Sequence, residues 1–153
     1  MGMGGAGIVP AEAAHLGEWA AMRAALWPDG ALEEHWEEAA AMLGQDHAIA
    51  FIAHDDDGRA IAFAEASLRH DYVNGCDTSP VCFLEGIFVR SGARRSGLAA
   101  ALVDEVRRWG HGMGCTEMAS DADIANVQSH AFHAAIGFVE TERVVYFRKP
   151  IHG

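Results

Sequence analysis

One stretch limits the fold of this chain more than any other: an apolar strand-length run that turns, through a short basic loop, directly into an amphipathic helix. Val81 to Val89 supplies the run, Arg90-Ser91-Gly92-Ala93-Arg94-Arg95-Ser96-Gly97 the loop, and Leu98, Ala101, Leu102 and Val106 recur at helical spacing after it. A strand passing through such a loop into a helix leaves backbone N–H groups unpaired at the positive end of the helix dipole, which makes an anion site. Small residues at Ser96, Gly97 and Ala99 let a phosphate approach the backbone, and Arg94 and Arg95 add charge. The loop carries neither Gly-Lys-Ser/Thr nor Gly-x-Gly-x-x-Gly, so nucleoside-triphosphate and dinucleotide readings both fail.

Around that stretch the sequence predicts the order β-α-α-β-β-β-α-β-α-β. Ile8 to Pro10 reads as a short strand, Ala11 to Trp27 and Leu32 to Leu43 as helices, and Ala48 to His54 and Ala60 to Leu68 as a hairpin turning at Asp55-Asp56-Asp57-Gly58. After the loop Arg69 to Pro80 and the strand Val81 to Val89 come a helix from Gly97 to about Trp109 and a strand from Cys115 to Ser120. A helix from Ile124 to Ile136 follows, and Phe138 to Arg148 closes the sheet as one bent strand or two. Glycines 110, 112 and 114 are expected to stop the third helix, and Gly137 the fourth. Residues 1–7 read as a flexible leader and 8–153 as a single mixed α/β domain.

Charge separates the possible partners. The net charge is −11, yet residues 1–85 hold fifteen carboxylates against three arginines, while 86–108 hold five arginines against Asp104 and Glu105. An acidic chain with one basic patch draws a compact polyanion to that patch and cations elsewhere. A long nucleic-acid backbone would meet net repulsion. No apolar run reaches the ~18 residues of a membrane helix, and no secretory signal opens the chain, so the expected compartment is the cytoplasm. Cys76, Cys82 and Cys115 form no Cys-x-x-Cys pair, and no His-Glu-x-x-His appears, so neither a disulfide framework nor a metal site is expected.

Two carboxylates stand out. Glu85 interrupts the apolar strand, where it is either structurally paired or placed for chemistry. Asp121 ends the following strand, where sites collect in open α/β sheets, with helix capping as the rival reading.

Arg94-Arg95-Ser96-Gly97-Leu98-Ala99 resembles the pyrophosphate loop of the GCN5-related N-acetyltransferases. Trp27-Pro28, the block from Arg69 to Asp77, Phe83 to Val89, Glu117 to Asp121 and Gly137 to Arg143 are together similar to the aminoglycoside 6′-N-acetyltransferases, over about Leu16 to Lys149. The resemblance implies that family's fold, with a central sheet that splays to admit acetyl-coenzyme A, and transfer of acetyl to the 6′ amine of an aminoglycoside. It implies that Trp27, Tyr72, Glu85, Asp121 and Glu142 line the acceptor site. Ile87, Phe88 and Val89 would pair with the pantetheine arm, residues Arg95, Ser96, Gly97, Leu98, Ala99 and Ala100 would cradle the pyrophosphate beside Arg94, and Asn126 would bond the arm. Rival structural readings are core packing for Trp27, loop packing for Tyr72, a paired strand charge for Glu142 and a helix N-cap for Asn126.

The chain departs from that pattern twice. Asp29-Gly30-Ala31 stands where related enzymes often have a histidine after Trp-Pro, and His133 stands where many acetyltransferases place a tyrosine acid. The relatives' habit of pairing makes a homodimer the expected assembly, with the apolar final strand as its seam. Other readings are an acetyltransferase for a polyamine, lysine or peptide amine, and a non-catalytic acyl-coenzyme A-binding regulator.

Overall fold

The computed structural model describes residues 7–94 and 96–152. Nine elements follow one another: β1 (Gly7–Pro10), α1 (Leu16–Leu26), α2 (Leu32–Met42), β2 (Ala48–His54), β3 (Ala60–Arg69), β4 (Val81–Val89), α3 (Leu98–Gly112), β5 (Met118–Ala119) and α4 (Val127–Ala135). The sheet order is β1-β2-β3-β4-β5, antiparallel throughout except for the parallel β4–β5 pair.

Alternation along the strands sorts side chains to two faces. Phe51, Ala53, Ala62, Ala64, Ala66 and Leu84 pack with Leu98, Leu102 and Val106 of α3. Ala50, Ile52, Ala60 and Phe63 pack on the other face with Leu16, Trp19 and Met22 of α1 and Ala39 of α2. Alanines on the central strands keep the sheet surface low, so α3 approaches closely. Gly110 completes that approach, because a Cβ there would fall 2.8 Å from Cys82 Cβ.

That contact corrects one expectation: α3 does not stop at Trp109 but continues to Gly112, since its last turns are held against β4. The first helix is shorter than expected, with a 3₁₀ turn over Ala13–His15 before α1. Likewise β5 shrinks to two residues and α4 starts only at Val127. The largest correction is the final strand. Residues 138–152 form no strand: the sheet ends at β5, and this segment, strand-like in composition, stands exposed without a described neighbour to pair with. Of the expected leader, Gly7 belongs to β1, opposite His54, and residues 1–6 lie outside the described part.

Candidate active site

The site begins with a defect in the β3–β4 ladder. Glu65 pairs with Gly86 but Ala66 pairs with Leu84, so Glu85 is the extra residue of a β-bulge. Bulges re-aim side chains and bend a strand. Glu85 thereby escapes the buried run on either side, and its carboxylate accepts hydrogen bonds from Ser67 Oγ and, bidentately, from Arg69, whose Nη2 lies 2.9 Å from Oε1. The Arg69 guanidinium rests on the Phe83 ring, 3.5 Å from its centroid. Gly86, with no side chain, makes room for the Trp27 indole, whose nearest ring atoms would be 2.4 and 2.5 Å from a Cβ.

On its other edge β4 pairs with β5 only at Cys82–Met118 and Phe83–Ala119. The strands then part. Ser120 Oγ still reaches the Leu84 carbonyl at 3.2 Å and lies 2.8 Å from His133 Nε2, while His133 Nδ1 lies 2.7 Å from the Ser129 carbonyl. His133 is therefore anchored at the mouth of the split, on the Asp121 side. From Glu85 to Val89 the main-chain groups of β4 facing away from β3 have no β5 partner. This is the splayed sheet that the sequence leads one to expect.

The basic loop lies at the far end of that opening. Gly97 caps α3 with φ of +79° and contributes no side-chain cap, and among the described residues no side chain occupies the first N–H groups of the helix, Leu98, Ala99 and Ala100, which suit an anion. Ser96 Oγ turns back to the Ala93 carbonyl. Arg94 Nε bonds the Val89 carbonyl at 3.0 Å, and a cleft of about 510 Å³ beside it is lined by Arg59, Arg90 and Arg94, with Asp55 as the opposing charge. Arg107 and Arg108 are committed to Asp104 and Glu105, which leaves the loop arginines as the effective positive patch. Arg95, expected to take part, lies outside the described residues.

A description of the acetyltransferase (GNAT) family matches residues 14–138, the span that carries this split sheet and its loop. The chain belongs to that family. It is 51% identical over 144 residues to the aminoglycoside N(6')-acetyltransferase type 1 of Serratia marcescens, covering 94% of this chain and 99% of the relative. The corresponding enzyme of Acinetobacter baumannii is 50% identical over 94% of this chain and 98% of its own. The crystal structure of the aminoglycoside antibiotic 6'-N-acetyltransferase AAC(6')-Ih from Acinetobacter baumannii superposes with a TM-score of 0.93 at 49% identity, covering 97% of this chain and all of that one. AAC(6')-Iy in complex with the bisubstrate analogue CoA-S-monomethyl-acetylneamine matches with a TM-score of 0.90 at 48% identity, covering 95% and 99%. Within the GNAT family, these similar proteins are aminoglycoside 6′-N-acetyltransferases.

Against this acetyltransferase frame the remaining site residues can be placed. Tyr72 is exposed on the loop after β3. Glu117 ties that loop to β5, accepting from the N–H groups of Asp77 and Thr78 and from the Thr78 hydroxyl, and these bonds hold its carboxyl below the usual range. Thr141 packs against Gly75 of the same loop, whose φ is +84°, and this carries Glu142 to the loop's border. Asp121 follows Ser120 and is exposed. Asn126 caps α4, its side chain accepting from Ser129 N–H at 3.1 Å, so the capping reading is realised. No group of three or more His, Cys, Asp or Glu among the described residues is arranged to hold a metal.

Sequence reasoning missed Arg69 and Ser67 as partners of Glu85, and Ser120 as the anchor of His133. The Glu85-Gly86 pair inside an apolar strand is the signal that could have revealed the bulge, since a strand glycine marks a bulge or a close approach.

Proposed function

We infer that the chain transfers the acetyl group of acetyl-coenzyme A to the 6′ amine of an aminoglycoside, by direct attack within a ternary complex. The observation that carries this reading is the parting of β4 from β5 right after Phe83, with Glu85 at one end of the gap and the Gly97-capped helix at the other. Acetyl-coenzyme A supplies a thioester carbon open to attack by an amine. Its pyrophosphate suits the N–H groups of Leu98 to Ala100 together with Arg94 and Arg95, and its pantetheine arm suits the edge of Ile87, Phe88 and Val89 that β5 leaves uncovered, with Asn126 bonding the arm. A backbone N–H in that run then polarises the thioester carbonyl.

Glu85 and Asp121 draw the acceptor's ammonium groups, together with Glu142. The attacking amine gives its proton to Glu85 or Asp121, directly or through water, and the departing thiolate takes one from His133, from water or from the ammonium. Trp27 and Tyr72 offer flat faces to sugar rings. The cysteines favour direct attack over a covalent enzyme intermediate: Cys82 is buried beneath α3, where desolvation pushes its thiol up to about 12, and Cys115 is buried beside it. Three free cysteines suit a reducing cytoplasm, and no described helix is long and apolar enough to cross a membrane. The continuous sheet from β1 to β5 suits one domain over residues 8–153.

The assembly we propose is a homodimer. Val145, Tyr146, Phe147 and Ile151 are 76, 84, 93 and 97% exposed, in a β-branched and aromatic segment with no strand partner among the described residues. A second copy would supply one, and pairing there would bring Glu142 under the control of the interface.

The test is coenzyme A release with two aminoglycosides that differ only in a 6′ amine or a 6′ hydroxyl. Release is expected with the amine alone. Equal rates would overturn the regiochemistry, and release with a polyamine but with neither aminoglycoside would favour the other cationic acceptors.

A further inference from the structure

The acceptor-side tryptophan is surrounded by more buried polarity than its packing requires. Trp27 ends α1, its N–H bonding the Arg23 carbonyl at 2.7 Å, and its indole lies against Gly86, next to the bulge that carries Glu85. Arg23 is only 6% exposed and spans two carboxylates: Nη1 reaches Glu65, itself 3% exposed, and Nη2 reaches Glu38 at 2.8 Å. The same guanidinium lies 5.0 Å from the Trp27 ring centroid, within cation–π range. His35, 4% exposed, donates from Nε2 to the Trp27 carbonyl at 2.8 Å, and its ring stacks on the indole at 22°. The Phe63 edge meets the indole as well.

This arrangement is costly. Among the described residues Arg23 Nε and His35 Nδ1 are buried without a hydrogen-bond partner, the latter 3.7 Å from Glu38. A buried ion pair is seldom more stabilising than well-packed apolar residues of equal volume, and unpaired buried polar atoms destabilise further. Stability alone therefore gives no reason for the network. Glu65 also accepts from Trp19 Nε1 at 2.8 Å, but the two members that reach outward, the Arg23 guanidinium and the His35 ring, both flank the half-buried Trp27 indole, and His35 holds its backbone carbonyl as well.

We propose that Arg23, His35 and Gly86 are positioning residues that hold Trp27 as a fixed wall of the acceptor site, so that the sugar meets a surface already in its bound orientation. The proposal rests on the reading of Trp27 as an acceptor-site residue. A preset indole spares the complex the ordering of a large side chain on binding. The effect belongs to acceptor affinity, not to acetyl-coenzyme A, whose arm the same reading lays along the β4 edge facing β5, whereas Trp27 packs over the sheet face with Phe63 and Phe88.

The experiment is a double-mutant cycle in steady-state kinetics with Trp27→Phe and His35→Phe, the latter keeping an aromatic ring but losing the donor to the Trp27 carbonyl. His35→Phe is expected to raise the acceptor KM by about fivefold, a loss of preorganisation, with the acetyl-coenzyme A KM unchanged, and to add nothing in the Trp27→Phe background. His35→Gln, which retains an N–H donor, should recover part of the loss. Equal effects of His35→Phe in both backgrounds, or none in either while Trp27→Phe does raise the acceptor KM, would overturn the clamp alone. No effect of Trp27→Phe would remove the acceptor reading of Trp27 and the clamp with it. Should His35→Phe not fold, Gly86→Ala serves: its Cβ would displace the indole and raise the acceptor KM, and Trp27→Phe should relieve that defect. Absence of relief contradicts the proposal.

Discussion

The two ends of this acetyltransferase are built differently. From Gly7 to Ala119, both faces of a five-stranded sheet are covered, and Trp19, Ile52, Phe63, Leu102 and Val106 are wholly buried. Beyond Cys115 no described residue is buried: α4 has no buried side chain, and Val145 to Phe147 stand in solvent. Yet the proposed site draws on both parts. Glu85, Trp27 and the α3 N-terminus belong to the packed part, whereas Asp121, Asn126, His133 and Glu142 belong to the outer one. In the proposed reading the packed part supplies the α3 N-terminus for the donor and Trp27 and Glu85 for the acceptor, while the outer part adds Asn126 for the donor and Asp121 and Glu142 for the acceptor.

If this contrast is right, the two carboxylates should not be equivalent. Glu85→Ala removes a group that the bulge, Ser67 and Arg69 hold in place, and is expected to lower kcat about a hundredfold or more, within the range of general-base losses. Asp121→Ala, on the exposed side, should cost less. The reverse order in kcat would break the comparison, and no loss in either would exclude both as base.

Stability should divide the same way. Leu102→Ala is expected to destabilise by about 2–5 kcal/mol in chemical denaturation, as for other buried leucines. Phe147→Ser should leave the unfolding midpoint of the monomer within ~0.5 kcal/mol, as at an exposed site, while shifting the sedimentation of the proposed dimer toward monomer. A large stability loss from Phe147→Ser in a chain that sediments as a monomer would show that the outer segment is core after all.

The smallest effect belongs to the loop between the two parts. Glu117→Gln weakens the bonds to Asp77 and Thr78 that hold Tyr72's loop, so the acceptor KM should rise by a few-fold with kcat little changed. Because those bonds lower the Glu117 carboxyl in the folded state, their contribution is present above its ordinary value. It is lost as pH falls through the lowered one. The KM effect of Glu117→Gln should therefore shrink toward acid pH, and a constant effect would sever the link.

How much of this the sequence disclosed follows the same boundary. β2, β3 and β4 were legible to within a residue because alternation and β-branched runs coincide with a sheet buried on both faces. The start of α3 behind Gly97 was legible because its pattern is local. The end of α3 was not, since glycine propensity argued for a stop while the contact with Cys82 required that same glycine inside the helix. Phe138 to Arg148 has the composition of a strand and lacks only a neighbour, which no local pattern can supply. At the site, Glu85 was identifiable as an intruder in an apolar strand. Its Arg69 partner, sixteen residues away, and the Arg23–Glu65 pair, forty-two apart, depend on strand register and helix packing.

The split between β4 and β5 is the central claim, and amide hydrogen exchange with and without coenzyme A reads it most directly. Binding should slow exchange at Ile87 to Val89 and at Leu98 to Ala100. Protection confined to other segments, with those amides unchanged, would contradict the account.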